Sequence, residues 1–248
     1  MRVREQSRGV KISGPLLIAL HLAPGLILGG VFFALSWQFI DSGLTGYLAL
    51  LVTIPVCLVP IEIGVMRFWS ARETGRGSLS AAILYRQRGT VVDYVVWPVL
   101  LFICWGVSSV AIAPVSLYLD AHVSGWLPAW ATQESLLNDL LASPPAQRPV
   151  TLGLAVLLSG VVAPVVEESY FRGFLLPRMA QWGWAAPVVN ALLFAVYHFY
   201  FPGNVPGIFA AFVPTAFVVT IKKNWRIGLV FHSAVNLWGV YSVATAIT

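Results

Sequence analysis

An all-α bundle that crosses a membrane is the architecture predicted by this 248-residue sequence, on three observations. Hydrophobic residues make up 58% of the chain and charged residues only 10%, whereas soluble domains carry about 25% charged residues. The apolar residues gather into runs long enough to cross a hydrocarbon core of roughly 30 Å, which takes about 20 helical residues. Lipid offers no hydrogen-bond partners to the backbone, so each such run must satisfy its own N–H and C=O groups as a helix.

Seven runs meet this description, near residues 14 to 39, 44 to 66, 91 to 118, 150 to 166, 184 to 201, 206 to 221 and 227 to 246, a polytopic bundle of about seven or eight helices. The first is too long for a signal-peptide core and no A-x-A-like cleavage site follows it, so it reads as retained. The second carries an acid, Glu62, near one end, expected to snorkel or to be paired. Between the second and third runs, the 67–90 loop holds Arg67, Arg72 and Arg76 around Trp69, which suits either an anionic leaflet or solvent. Cys57 and Cys104 lie far apart inside apolar runs and support neither a disulfide framework nor a thiolate metal site. Trp37, Trp69, Trp182, Trp184 and Trp225 fall near run ends, where interfacial belts use amphipathic rings. The terminal Ala-Thr-Ala-Ile-Thr lacks the cysteine motif of a prenylation substrate. No repeat or long loop divides the chain, so residues 1–248 are expected to form a single integral membrane domain.

The formal charge of +5 is a matter of topology rather than of nucleic-acid binding. Arg2, Arg4, Arg8 and Lys11, the five arginines of the 67–90 loop, Arg178, and Lys222, Lys223 and Arg226 all fall on one side if the runs alternate direction. The positive-inside rule then places the N-terminus in the cytoplasm. Asp120, Glu134 and Asp139 fall in the opposite loop, where Arg148 is the basic exception.

Ionisable groups inside spans cost roughly 2.5 to 3.5 kcal/mol each on the mildest insertion scale, so they are functional candidates by default. Glu167-Glu168-Ser-Tyr-Phe-Arg172 directly follows the fourth run. On a helix Glu168 and Arg172 are i, i+4 neighbours able to pair, while Glu167 points about 100° away and stays available. In the fifth run Phe194 and His198 share a face. Glu167 and His198 lie almost equidistant from the turn around Trp182 and Gly183, which sets them at one level of a helical hairpin. In the last run His232 and Asn236 again share a face, one to three turns from the basic residues 222–226. Each residue alone has a bland reading: an ion pair that locks a helix, a packed histidine, an amide that glues helices together. Their convergence at one depth points instead to a polar site in the inner half of the membrane.

These residues resemble the CAAX-protease and bacteriocin-processing intramembrane endopeptidases, also called Abi proteins, whose eukaryotic members are the Ras-converting enzymes. The family's motifs, E-E-x-x-x-R, F-x-x-x-H and H-x-x-x-N/B, occur in order as 167–172, 194–198 and 232–236. The resemblance covers about 150–246, and the first three runs share only their transmembrane character. It implies a helical fold around a cavity open to the cytosol and inner leaflet, and hydrolysis of a peptide bond. In prenyl-processing members the three residues after an isoprenylated cysteine are removed. By matching position, Glu167 with His198 would activate water, His232 with Asn236 would form the oxyanion site, and Glu168 and Arg172 would support the geometry.

The chemistry of the side chains agrees with those roles: a carboxylate beside an imidazole can deprotonate water and pass the proton to a leaving amine. No serine or cysteine nucleophile is paired with either histidine by sequence. Two histidines and a glutamate can also hold a catalytic zinc, but H-E-x-x-H is absent, so no cofactor is expected and zinc is the alternative. The expected partners are a peptide or protein substrate, prenylated tails among the candidates, and the lipid bilayer. Two non-hydrolytic readings stand beside the peptidase: a scaffold or regulator of a membrane partner, as in bacteriocin immunity, and a transporter's proton relay, which inverted repeats would favour.

Overall fold

Every apolar run becomes helix in the computed structural model of the chain, which describes residues 12–247. Arg2, Arg4, Arg8 and Lys11, on which part of the charge argument rests, lie outside the described residues, as does Thr248. In order, the main helices are α1 (Gly14–Asp41), α2 (Gly46–Thr74), α3 (Val91–Trp126), the short α4 (Gln133–Ala142), α5 (Gln147–Arg178), α6 (Ala185–Tyr197), α7 (Asn204–Lys222) and α8 (Trp225–Ala246).

Local chemistry sets their ends. Thr45 and Thr132 cap α2 and α4 by accepting from Leu48 and Ser135 backbone N–H groups. Thr90 and Asp93 form a reciprocal capping box at the start of α3, which satisfies two otherwise orphaned donors. Gly75 ends α2 at φ 72°, a left-handed conformation that costs glycine nothing.

Among the described residues, six of these helices are long and apolar enough to cross a membrane, and the protein is an integral membrane protein. The seventh expected span is shorter than the sequence suggested. Its helix, α6, has 13 residues, a rise of about 20 Å against a core of roughly 30 Å. The chain leaves it at His198 and turns through residues 199–203, where Phe201 N–H bonds His198 O; Pro202 and Gly203 follow. The fourth span differs in the other direction. The apolar run stops at 166, but its helix continues to Arg178, so the Glu167–Arg172 motif lies on a helix that leads to the turn around Trp182 and Gly183, as the sequence predicts.

Proline shapes that helix. Residues 155–162 and 168–175 of α5 are wound as π-helix, a rare form found mostly at functional sites. Each stretch runs up to a proline, Pro164 and Pro177, which has no N–H to give to the preceding turn. Near the second proline the carbonyl of Gly173 accepts from Leu84 N–H of the 75–90 loop at 2.9 Å. Around Pro164 the register runs from Ala163 N–H to Leu158 O. The next donor in that register would be Pro164 itself, so the carbonyl of Ser159 is left for another partner.

Helix α7 packs against α6 and α3, α8 against α3 and α5, and α1 against α6 and α2. The motif part of α5 is enclosed by these neighbours: Tyr170, Phe171, Arg172, Phe174 and Leu175 are fully buried. Helix α3 is peripheral, with 11% of its apolar window buried, and turns most of its surface to lipid. The 75–90 loop is pinned to one end of the bundle by Gln87 N–H to Lys223 O, 2.9 Å, and Trp225 N–H to Tyr85 O, 3.0 Å. At that end Arg178 holds Glu73 at 2.7 Å and Lys222 holds Asp93 at 2.8 Å. At the other end Asp139 accepts from Gly46 N–H and Asp120 from Gly203 N–H. Charge is therefore sorted along the bundle axis as the sequence predicts.

Candidate active site

Three helices deliver the polar residues. Glu167, Glu168 and Arg172 come from the middle of α5, His198 from the end of α6, and His232 from the first half of α8. Counted from the basic end, His232 lies seven residues into α8, Glu167 eleven residues from the end of α5 and His198 thirteen residues past Ala185. At 1.5 Å per residue these depths are about 10, 16 and 20 Å from the basic end, so the cluster sits well inside the bundle.

Glu167 is the centre. Its Oε1 lies 4.0 Å from His198 Nε2 and its Oε2 lies 3.7 Å from His232 Nε2. Both separations exceed a direct hydrogen bond, and 4.0 Å is a gap that one water can bridge. The Glu167 side chain is 6% exposed and that of His198 is 18% exposed, so the site opens on the His198 side.

Each imidazole is oriented through its other nitrogen. His198 Nδ1 lies 2.9 Å from the carbonyl of Phe194; a carbonyl only accepts, so Nδ1 carries the proton and the neutral ring turns an unprotonated Nε2 toward Glu167. His232 Nδ1 lies 3.1 Å from Glu168 Oε1. That same oxygen is 3.1 Å from Arg172 Nη1, in a pair with both side chains fully buried. Glu168 thus links the arginine of α5 to the histidine of α8. Removing one partner of such a buried pair costs about 3 to 5 kcal/mol, because the other charge is left uncompensated.

Aromatic rings close the arrangement. The Arg172 guanidinium stacks over Phe194 at 4.0 Å and Phe212 at 4.6 Å; when desolvated, such contacts contribute about 2 kcal/mol. Phe194 also meets His198 edge-on at 4.9 Å and His232 at 5.9 Å. The phenylalanine of the second motif is therefore a common wall for the arginine and both histidines.

Asn236 is arranged differently from the other motif residues. It shares a helical face with His232, but its side-chain amide donates to Ser159 O at 2.8 Å, the carbonyl that Pro164 leaves free. This clamps α8 to α5 and occupies one of the two amide hydrogens, with the second still available.

Two features went unread in the sequence. His21 and Asn190 form a buried brace: His21 Nδ1 bonds Leu17 O at 2.7 Å, and Asn190 meets His21 Nε2 at 3.0 Å and Phe171 O at 3.1 Å. This ties α1 and α6 to the turn of α5 that precedes Arg172. Single polar residues in apolar runs signalled it, but nothing in their spacing pairs them. The second feature is Glu62, expected to snorkel or to be paired. It is fully buried, neither of its oxygens has a hydrogen-bond partner, and its charged neighbours are Glu167, Arg172 and Glu168. It cannot snorkel because it sits well inside α2, beneath α5 rather than at the rim of the bundle.

Among the described residues, no group of three or more His, Cys, Asp or Glu side chains is arranged to hold a metal ion. A groove of about 690 Å³ between α3 and α8 is lined by residues that include Phe102, Ile103, Val230, Ala234, Leu237 and Trp238. Val230 and Ala234 are each two residues from His232, about 200° around the helix, so this groove faces lipid on the far side of α8.

No curated protein and no solved structure matches the chain. Residues 149–238, the stretch that carries Glu167, Glu168, Arg172, His198, His232 and Asn236, match the family described as type II CAAX prenyl endopeptidase Rce1-like.

Proposed function

We propose that the protein is an intramembrane endopeptidase in which Glu167 and His198 activate water for attack on a peptide bond. The observation that carries this reading is the seat of Glu167 between two imidazoles, 4.0 and 3.7 Å from their Nε2 atoms. A water held between Glu167 Oε1 and His198 Nε2 loses a proton to the carboxylate as its oxygen attacks the carbonyl carbon. When the tetrahedral intermediate collapses, the C–N bond breaks and the proton passes to the departing amine, which restores Glu167. His232, with the free hydrogen of Asn236, is assigned to the oxyanion. Such donors contribute about 2.7 to 4 kcal/mol each in other hydrolases. Because Glu168 occupies Nδ1 of His232, donation from Nε2 requires a doubly protonated ring, whose charge Glu167 and Glu168 balance. Arg172 holds Glu168 and thereby the ring.

We assign the metal-free route because H-E-x-x-H is absent, with zinc as the alternative. The substrate class we assign is the tail of a prenylated CAAX-type peptide, presented at the cytoplasmic side. The assignment rests on the description of the matching family and on a site about 10 to 20 Å from the basic end by helical rise. By the positive-inside rule that end is cytoplasmic. A proteoliposome assay tests it with two fluorogenic peptides of one sequence, farnesylated and unmodified. Cleavage of the farnesylated peptide alone, after the modified cysteine, is expected. Equal cleavage of both would retain the peptidase and discard the prenyl specificity; cleavage of neither would discard the substrate class.

A further inference from the structure

Glu62 is a buried ionisable group that the mechanism above does not use. It lies on α2, outside all three motifs, and is 0% exposed. The groups facing it are Glu167, Glu168 and Arg172 of α5, Tyr197 at the end of α6, Tyr170 of α5, Tyr200 beyond α6 and Cys57 of α2. Neither Glu62 oxygen has a hydrogen-bond partner, and the hydroxyl of Tyr197 is likewise buried without one. An orphaned buried polar group costs about 1 to 3 kcal/mol, more if charged, and in native proteins such groups concentrate where function requires them. Packing does not demand an acid here: leucine or methionine would fill the position without that cost.

We infer that Glu62 is a positioning residue for Glu167, the two side chains forming a buried carboxyl pair flanked by the Tyr197 hydroxyl. The local charges support this. Three carboxyl groups, Glu62, Glu167 and Glu168, face two cations: Arg172, engaged with Glu168 at 3.1 Å, and the protonated His232 ring, between Glu167 and Glu168. The third carboxyl, Glu62, has no cation of its own, and ionising it beside Glu167 would be costly, so the pair of neighbouring carboxyls keeps one proton. With the proton on Glu62, Glu167 is kept as the carboxylate that water activation needs, beside a neutral donor that fixes its orientation. During turnover Glu62 neither gains nor loses a bond to substrate; it acts only through Glu167 and Tyr197.

The kinetic part of this inference rests on the peptidase reading, so the test pairs it with a readout that does not require activity. Wild type, Glu62→Gln, Glu62→Leu and Glu167→Gln are compared in detergent and liposomes. Glutamine keeps the shape of a neutral carboxylic acid and offers an N–H donor in place of its O–H, whereas leucine keeps only volume. Glu62→Leu is expected to lower kcat by roughly tenfold or more at unchanged KM, the signature of an interaction that matters in the transition state alone, with Glu62→Gln recovering most of the loss. Infrared spectroscopy should show the carbonyl band of a neutral carboxylic acid in wild type and its loss in Glu62→Gln. Wild-type kcat in a folded Glu62→Leu protein, or an infrared band unchanged by Glu62→Gln, would overturn the inference. If wild type cleaves nothing, the peptidase reading fails while the infrared comparison still decides the carboxyl pair.

Discussion

Arg172 shows how much one residue carries. Among the described residues it is the largest fully buried side chain, held between two phenyl rings and one carboxylate. A lysine could keep the charge but not the flat guanidinium that stacks on Phe194 and Phe212. Arg172→Ala is expected to lower stability by about 3 to 5 kcal/mol, with Arg172→Lys recovering little of it, as read from equilibrium unfolding in detergent. Most of the polar residues that meet in the bundle were legible in the sequence, because glutamate, arginine and histidine inside apolar runs stand out against lipid. Glu62 was equally visible, yet its role was not. Its partners come from α5 and α6, more than a hundred residues away, and no spacing rule reaches across that distance. The second nitrogens of the histidines were unreadable for a related reason: one bonds a main-chain carbonyl, which no sequence pattern names.

At the scale of elements, α5 depends on its prolines. The apolar run ends at 166 because Glu167 and Glu168 follow it. The sequence does not say that the helix carrying them would be widened on the approach to Pro164 and Pro177. Nor does it reveal that the carbonyl released at Ser159 would be taken by Asn236. That bond gives Asn236 a structural role beside the proposed catalytic one, and the two can be separated. Asn236→Ala leaves the Ser159 carbonyl without its partner, at about 1 to 3 kcal/mol. In a Pro164→Ala background the new N–H can supply that carbonyl. We expect the double variant to regain stability but not activity; recovery of both would make Asn236 a clamp only. A second element-level test concerns Gly228 on α8, where an added Cβ would collide with Glu168 Oε2. Glycine to alanine inside a helix ordinarily stabilises by about 1 kcal/mol. Here Gly228→Ala is expected to destabilise and to lower kcat, because it displaces the carboxylate that orients His232; a thermal shift measurement with kinetics checks both.

For the whole molecule, composition alone set the environment, and run lengths gave most of the topology. The exception is α6, whose short length follows from the turn at residues 199–203 rather than from any loss of hydrophobicity. Charge sorting gives the orientation a direct test. In a protein lacking Cys57 and Cys104, a membrane-impermeant thiol reagent applied to intact cells should modify Glu134→Cys, and should modify Arg86→Cys only after permeabilisation. The reverse pattern would invert the topology and turn the site toward the other compartment.

The measurement closest to the central claim is the cleavage rate of a farnesylated CAAX-type peptide by wild type and Glu167→Gln, each with and without a metal chelator. If Glu167 is the base that activates water, cleavage resists the chelator. Glu167→Gln then lowers kcat by roughly 10² to 10⁴-fold, the usual range for a general base, with an unchanged unfolding temperature. Undiminished cleavage by Glu167→Gln, or activity lost to the chelator and restored by zinc, would contradict the account.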